Sequence, residues 1–320
     1  MNQTSVLVDT DAQANVATAT ALGDALAARD YFADPPTALS LWLALRLGRP
    51  LLLEGPAGVG KTELAHASAR VLGREVIRLQ CYEGLDEARA LYEWDYGKQL
   101  LSVQLSRSGE ARPSGERGPT HGSVPDVASF FDRRFLLARP LLRALESEAP
   151  VVLLLDEVDR ADPEFEAFLL EFLADLAVTI PEIGTVRARH VPLVLLTTNA
   201  TREMTEALRR RCFHAFLDHP PPEREIRILE RRVPGIDRAL AEKLVAFVGG
   251  LRKLDLRKAP ATSETIDWAR ALFVLGAREL DPEIVKDTLG LLLKHQSDKE
   301  DVTPKVAGLL TSRSAEGAAQ

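Results

Sequence analysis

Eight consecutive residues have the types and the spacing needed to hold phosphate groups. They are Gly55, Pro56, Ala57, Gly58, Val59, Gly60, Lys61 and Thr62. The pattern Gly-x-x-x-x-Gly-Lys-Thr is a P-loop, in which backbone N–H groups converge on phosphate oxygens. A side chain at the glycine positions would obstruct that approach. In such a loop the lysine supplies charge to the β- and γ-phosphates and the threonine hydroxyl can ligate Mg²⁺. The sequence therefore predicts a nucleoside triphosphate site.

A pair of carboxylates follows a second apolar strand further along the chain. Residues 151–155 read as a buried strand, and Asp156 and Glu157 come directly after it. Ligands of open α/β sheets bind outside the carboxyl ends of the strands. We expect Asp156 to hold Mg²⁺, directly or through water, and Glu157 to polarise the attacking water as a general base. With the P-loop, this pair predicts hydrolysis of the bound triphosphate.

Two further features could act on the γ-phosphate. Asn199 directly follows the apolar strand 191–198, and its neutral amide could hydrogen-bond both the γ-phosphate and the attacking water. The alternative is that Asn199 is simply a turn residue. Arg209, Arg210 and Arg211 end the next helix, and cations at a helix C-terminus can simply complement its dipole. The functional alternative is an arginine finger presented to the ATP of a neighbouring subunit, for which we favour Arg211.

The elements that must position these residues alternate between strands and helices. Buried strands are predicted at 51–54, 75–79, 151–155 and 191–198, helices at 37–47, 62–72 and 163–176, a helical pattern at 130–145, and a hairpin from 178–180 and 185–188. Beyond the proline run 220–222 the pattern is purely helical. The fold class is therefore α/β, a P-loop core with a parallel sheet between helices, followed by a small all-helical domain.

Composition shifts suggest the domain organisation. We expect a flexible leader at 1–25, a nucleotide-binding core at 26–220 and a helical region at 221–320. Within the core, 106–126 is dense in Gly, Ser, Pro and Arg, which predicts a mobile surface loop.

Charge and hydropathy exclude several classes of protein. The 320 residues carry a formal net charge of −7, which does not favour nucleic acid or membrane surfaces. Neither a signal peptide nor a membrane span is visible, so a cytoplasmic location is expected. The two cysteines, Cys81 and Cys212, have no metal-ligand spacing and are expected to be free thiols.

Residues 30–295 resemble a known family. The segments GPAGVGKT, VVLLLDEVDRAD and TTNATREMTEALRRRC are similar to those of AAA+ ATPases of the MoxR group. The segments LQCYEGLDEARALYEWDY, EFEAFLLEFLADLAVTIPE and SETIDWARAL resemble the CoxD-like subgroup, accessory ATPases encoded with carbon monoxide dehydrogenase.

This resemblance implies an αβα ATPase core, a helical lid and a hexameric ring with ATP and Mg²⁺ between subunits. It further implies a partner with a von Willebrand factor A domain and a chaperone role in maturing a metalloenzyme, such as a molybdenum hydroxylase. By this resemblance, residues 55–62 correspond to the Walker A motif, and Asp156 and Glu157 correspond to the Walker B motif. Asn199 corresponds to sensor 1, and Arg211 corresponds to the arginine finger.

One departure from the family concerns the lid. Many relatives carry an arginine, the second sensor, where this chain has Ala261-Thr-Ser-Glu-Thr265. Arg252, Arg257 or Lys258 could substitute for it.

Two other functions are compatible with the same core. A DNA translocase or helicase would need a basic hairpin, for which Arg187 and Arg189 are the nearby cations, and the net charge of −7 opposes it. A nucleotide-gated binding module with little turnover is the second alternative, and the intact pair Asp156 and Glu157 argues against it.

Overall fold

The computed structural model describes residues 16–108, 131–181 and 183–311. The predicted mobile loop at 106–126 lies outside these ranges except for 106–108, which end a helix. None of the helices in the described ranges is both long and apolar enough to cross a bilayer.

The strands that carry the candidate residues belong to one sheet. The strands of the described residues are β1 (Leu51–Glu54), β2 (Val76–Gln80), β3 (Tyr92–Trp94), β4 (Leu136–Ala138), β5 (Val152–Asp156), β6 (Ala177–Ile180), β7 (Gly184–Arg187), β8 (Leu193–Thr198) and β9 (Phe213–Phe216). Five of them form a sheet in the order β2-β5-β8-β1-β9. The pairs β2–β5 and β5–β8 are parallel, and β5 and β8 are buried along their whole length. Burial on both faces explains the apolar runs with which β5 and β8 begin, and the parallel sheet confirms the α/β prediction.

Helices make up most of the remaining described chain. They are α1 (Ala19–Ala27), α2 (Pro35–Leu47), α3 (Lys61–Leu72), α4 (Glu87–Leu91), α5 (Tyr96–Ser108), α6 (Pro140–Glu146), α7 (Pro163–Asp175), α8 (Glu206–Arg211), α9 (Pro222–Arg232), α10 (Arg238–Leu251), α11 (Thr262–Val274), α12 (Pro282–Leu292), α13 (Gln296–Val302) and α14 (Val306–Thr311). From α9 onward the described chain contains no strand, as the sequence pattern predicts.

Two short antiparallel ladders lie outside the main sheet. The pair β6–β7 confirms the predicted hairpin. The pair β3–β4 was not predicted, and it replaces the first half of the helical pattern at 130–145. Here α6 begins only at Pro140, which suits a first helical turn because it lacks an N–H to bond. The preceding residues instead use their N–H and C=O groups in a ladder with β3.

The prediction of a loose leader over 1–25 is wrong from Ala19 onward, where α1 begins. The Thr18 hydroxyl accepts the N–H of Ala21 and caps the helix. Leu22 and Leu26, four residues apart, lie on one face and are both buried. A cap and two packed leucines stabilise a short helix that composition alone does not indicate. Residues 1–15 lie outside the described ranges.

The chain divides into two compact units. The first contains Leu43–Leu52 and Gly73–Phe213; the second contains residues 16–42, Leu53–Leu72 and 214–311. The first has an apolar core built on β2, β5 and β8, and the second has a core of helices α9 to α14 centred on Phe247 and Trp268. The P-loop therefore belongs to the same unit as the helical region, and the domain boundary near 220 stays a prediction.

Candidate functional site

The glycine-rich turn of the second unit joins β1 to α3 and has a backbone that only glycine suits. Gly58 has φ +79°, and a Cβ there would lie 2.4 Å from Ser263 Oγ. At Gly55, with φ +155°, a Cβ would lie 1.9 Å from the carbonyl oxygen of Leu217. Both positions exclude a side chain by conformation and by contact. The turn is thus packed closely against its neighbours at both glycines.

Lys61 is the first residue of α3, and its side chain folds back over this turn. Its Nζ donates to the carbonyl oxygens of Gly55, at 2.6 Å, and Pro56, at 2.8 Å. Only 7% of the residue is exposed. An ammonium and a helix N-terminus both place positive charge beside the turn.

A pocket next to the turn contains residues that the sequence pattern did not indicate. Its lining, all within the second unit, includes Tyr31, Phe32, Asp34, Gly58, Val59, Gly60, Leu217, Arg224, Ile228, Ser263 and Ile266. Arg224 pairs with Asp34 at 3.4 Å. Burial, and then the nearby charge of Asp34, raise the pKa of Tyr31, so its hydroxyl stays protonated. These residues come from four segments distant in sequence, which is why no local motif reveals the pocket.

The acidic pair lies at the carboxyl end of β5 in the first unit. Asp156 is the last residue of the strand and is 3% exposed, and Glu157 adopts the left-handed conformation with φ 57°. The Thr197 hydroxyl donates to Asp156 Oδ1 at 2.5 Å and accepts the N–H of Glu157 at 2.8 Å. One hydroxyl on β8 thus fixes both members of the pair.

Side chains of β2 contact the same two carboxylates. Arg78 donates to Asp156 Oδ2 from Nε, at 3.0 Å, and from Nη2, at 2.6 Å. Gln80 Nε2 donates to Glu157 Oε2 at 3.1 Å, and Arg160 Nη1 donates to the same oxygen at 3.0 Å. Arg78 and Gln80 are alternate polar residues in an apolar strand. This period-two pattern is the sequence signal that could have identified them.

The loop after β8 is tied to the loop after the acidic pair by a buried carboxylate. Asp159 Oδ2 accepts the N–H groups of Asn199, at 3.3 Å, and Thr201, at 3.0 Å, and the Thr201 hydroxyl at 2.6 Å. Burial alone would raise the pKa of Asp159, but these hydrogen bonds outweigh it and the pKa lies below its ordinary value. The backbone of Asn199 is therefore held at the sheet edge that also carries Asp156.

The start of α8 is anchored by Glu166, which is fully buried on α7. Its carboxylate accepts the N–H of Thr205 at 3.0 Å and pairs with Arg202. Arg202 also donates to the carbonyl oxygen of Ala161 at 2.8 Å. The helix that ends in three arginines is thereby fixed to the loop that follows the acidic pair.

The three arginines at the end of α8 differ in their surroundings. Arg49 donates to the carbonyl oxygens of Arg210, at 3.0 Å, and Arg211, at 2.9 Å, which fixes the helix end. Arg210 is paired with Glu206 at 2.5 Å. Arg209 is half-buried, whereas Arg211 is exposed and its side chain has no partner among the described residues. Arg211 is accordingly the member of the trio that can reach another molecule.

The start of α11 contacts the glycine-rich turn. The N–H of Ser263 donates to the carbonyl oxygen of Gly58 at 3.2 Å. Arg252, one candidate for the missing second sensor, is 12% exposed by its side chain and donates to buried Glu225 at 2.7 and 2.8 Å. It also donates to the carbonyl oxygen of Pro260 at 2.8 Å. Within the second unit, Arg252 therefore links α10 to Glu225 on α9 and to Pro260 before α11.

Some of the other basic residues considered for the second sensor or for DNA binding are also in ion pairs. Lys258 pairs with Glu264 at 3.3 Å. On the β6–β7 hairpin, Arg187 is exposed, but the nearby Arg189 pairs with Glu148. This pairing weakens the basic hairpin on which a DNA-binding function would depend.

Residues 51–219 match the family described as "ATPase family associated with various cellular activities (AAA)". The chain belongs to this family. The match spans more than half of the chain and includes the glycine-rich turn, the acidic pair, Asn199 and the α8 arginines. The fold is accordingly the AAA+ P-loop fold, with a parallel sheet flanked by helices and a helical C-terminal region consistent with a lid.

Individual relatives are distant. The chain is 32% identical over 158 residues to "Chaperone protein ClpB 2" of Parasynechococcus marenigrum, a match of 49% of this chain but only 14% of that protein. It is 27% identical over 224 residues to "Protein NorQ" of Paracoccus denitrificans, covering 67% of this chain and 69% of that protein. Among solved structures, the RuvB Holliday junction branch migration motor of Thermotoga maritima aligns over 84% of this chain and 69% of its own, with 19% identity and a TM-score of 0.43.

Proposed function

We propose that this AAA protein hydrolyses ATP to ADP and phosphate. The observation that carries the proposal is the glycine-rich turn, whose backbone excludes side chains at Gly55 and Gly58 while buried Lys61 caps it. A glycine-rich turn at a helix N-terminus, with an ammonium beside it, is suited to a polyphosphate. The adjoining pocket, with Tyr31 and Ile266 among its lining, would take the nucleoside.

The residues also suit Mg²⁺. No cluster of three or more His, Cys, Asp or Glu able to hold a metal is found in the described ranges. Mg²⁺, however, needs only one or two carboxylates besides substrate phosphates. Asp156 and the Thr62 hydroxyl supply hard oxygen ligands of the right type. When bound, Mg²⁺ would neutralise the phosphate charge that develops during transfer.

Glu157, Asn199 and Arg211 would complete the reaction. Glu157, half-buried and anchored by its own backbone N–H, would take the proton of the attacking water. Asn199 would orient that water and the γ-phosphate without adding charge. Arg211 would stabilise the transition state in the site of a neighbouring subunit, since it is exposed and has no side-chain partner in the described structure. A ring of subunits, hexameric in MoxR-type proteins, follows from that role.

The activity would serve a protein client. Similarity to a ClpB chaperone and to NorQ, with the MoxR-like segments of the sequence, supports a cytoplasmic chaperone of MoxR type. The CoxD-like segments favour maturation of a metalloenzyme, such as a molybdenum hydroxylase, with a von Willebrand factor A domain protein as partner. In this proposal residues 26–220 form the ATPase core and 221–320 the lid.

Glu157→Gln tests the proposed hydrolysis. The amide keeps the size of the side chain and its bond to Gln80 or Arg160 can be partly retained, but it cannot accept a proton. We expect turnover to fall by about 10²–10⁴-fold while ATP binding is unchanged. Steady-state phosphate release and equilibrium binding of a fluorescent ATP analogue would measure the two effects.

Lys61→Ala is the matched control, because it should abolish nucleotide binding itself. Hydrolysis by Glu157→Gln at the wild-type rate would show that another group is the base. Wild-type protein that binds ATP without releasing phosphate, alone or with a partner, would instead support the nucleotide-gated binding module.

A further inference from the structure

The hydroxyl of Thr197 occupies a central place between the two carboxylates. It donates its proton to Asp156 Oδ1 at 2.5 Å and accepts the N–H of Glu157 at 2.8 Å. A hydroxyl has one proton and two lone pairs, so both bonds can exist together. Thr197 is 1% exposed, and water is therefore poorly placed to substitute for either bond.

Each bond determines a separate property of the acidic pair. The bond to Asp156 fixes the rotation of its carboxylate, whose other oxygen is held by Arg78. The bond from the N–H of Glu157 stabilises a left-handed backbone, with φ 57°, that residues other than glycine rarely adopt. That backbone sets the direction in which the Glu157 side chain leaves the strand.

We propose that Thr197 is a positioning residue for the proposed hydrolysis, orienting Asp156 towards Mg²⁺ and Glu157 towards the attacking water. The inference rests on the proposed function and adds a residue to it. Thr197 contacts neither phosphate nor water in this role and acts only through the two carboxylates. Groups that orient metal ligands in this way typically contribute 10- to 100-fold to metal affinity or activity.

Thr197→Val and Thr197→Ser separate the hydroxyl from the shape of the side chain. Valine keeps the β-branched shape and removes both bonds, whereas serine keeps the hydroxyl. For Thr197→Val we expect the Mg²⁺ concentration at half-maximal activity to rise by about 10- to 100-fold and kcat to fall by a similar factor. Thr197→Ser should restore both values close to wild type. Affinity for ATP in the presence of EDTA should be the same in all three proteins.

Binding provides a readout that does not depend on turnover. Calorimetric titration of a non-hydrolysable ATP analogue at several Mg²⁺ concentrations should show a weaker Mg²⁺ enhancement of affinity in Thr197→Val. Thr288→Val is the matched control, since the Thr288 hydroxyl also makes two bonds. It donates to the carbonyl oxygen of Ile284 at 2.6 Å and accepts the Nε1–H of Trp268 at 2.8 Å. It should lower the thermal midpoint without changing the Mg²⁺ dependence.

The outcomes distinguish this inference from the function on which it rests. An unchanged Mg²⁺ dependence in Thr197→Val, with Glu157→Gln behaving as proposed, would overturn the positioning role alone. An equal shift in Thr288→Val would overturn it as well, because general destabilisation would then explain the result. Wild-type protein that binds ATP without releasing phosphate, alone or with a partner, would overturn the proposed function itself.

Discussion

Lys61 and Asp156 are charged groups that the fold withdraws from water, and each is held by a different kind of partner. Lys61 is bonded to two backbone carbonyl oxygens, whereas Asp156 is bonded to a guanidinium and a hydroxyl. Burial of a charge costs free energy unless such partners are present. These partners also limit the directions that each side chain can take. The site is therefore preorganised at the level of single side chains.

A single side chain, His219, is expected to make the stability of the fold depend on pH. Burial, and then the charge of Arg252, lower the pKa of His219 from its ordinary 6.5, although Asp218, Glu225 and Glu264 oppose the shift. Its Nδ1 is buried and has no hydrogen-bond partner among the described residues. Because the folded state binds the proton less well than the unfolded state, stability is complete above pH 6.5 and falls as the pH drops below it.

Thermal unfolding of wild type and His219→Gln between pH 5 and 8 would measure this contribution. The wild-type midpoint should fall more steeply than that of the variant as the pH drops below about 6.5. Parallel curves over this range would show that His219 is as easily protonated in the folded protein as in the unfolded one.

Each candidate residue lies at or next to the end of a helix or strand and is held there by specific local contacts. The glycine-rich turn connects β1 to α3, the acidic pair follows β5, and Asn199 follows β8. Parallel strands end at the same edge of a sheet, so neighbouring β5 and β8 bring Asp156 and Asn199 together. The α8 arginines depend on Glu166, a buried carboxylate on α7 that fixes the start of α8.

Replacing Gly58 with alanine tests the contact between the turn and α11 within the second unit. The new Cβ would lie 2.4 Å from Ser263 Oγ and 2.7 Å from Ala261 Cβ, at φ +79°. Backbone strain alone should destabilise the protein by about 1–3 kcal/mol, and nucleotide binding should weaken. Gly249→Ala is the matched control: it lies within α10 with no atom within 4 Å of the new Cβ, and should stabilise by about 0.5–1 kcal/mol.

Thermal denaturation and ATP binding of the two alanine variants would be compared with wild type. Equal stability of Gly58→Ala and wild type would mean that the turn does not need this conformation. Adding Ser263→Ala to Gly58→Ala should recover only part of the loss, since the strained φ remains.

Strong local patterns made some of these elements predictable from sequence. The P-loop and the strand before Asp156 have motifs or unbroken apolar runs, and both were predicted within a residue or two of their bounds. The ladder β3–β4 was missed because its pairing depends on a distant partner and its residues also suit a helix. Thr197 was missed for a related reason: a polar residue at a strand end gains a role only from the neighbouring strand.

The whole chain contains the parts of an AAA protein in two compact units, each with its own apolar core. The second unit holds the glycine-rich turn and the pocket next to it, and the first holds the acidic pair, Asn199 and the α8 arginines.

Assembly provides the last prediction, because Arg211 is proposed to act on the ATP of a neighbouring subunit. Arg211→Ala should lower turnover by about 10³–10⁵-fold, with ATP binding retained. Glu157→Gln subunits keep their arginine but lack the base. When the two inactive variants are mixed, each Arg211→Ala site beside a Glu157→Gln subunit regains a finger, so phosphate release should reappear. Arg210→Ala, whose arginine is paired with Glu206, should remain active alone. Mixtures that stay inactive, although native mass spectrometry shows mixed rings, would place the function of Arg211 within its own subunit.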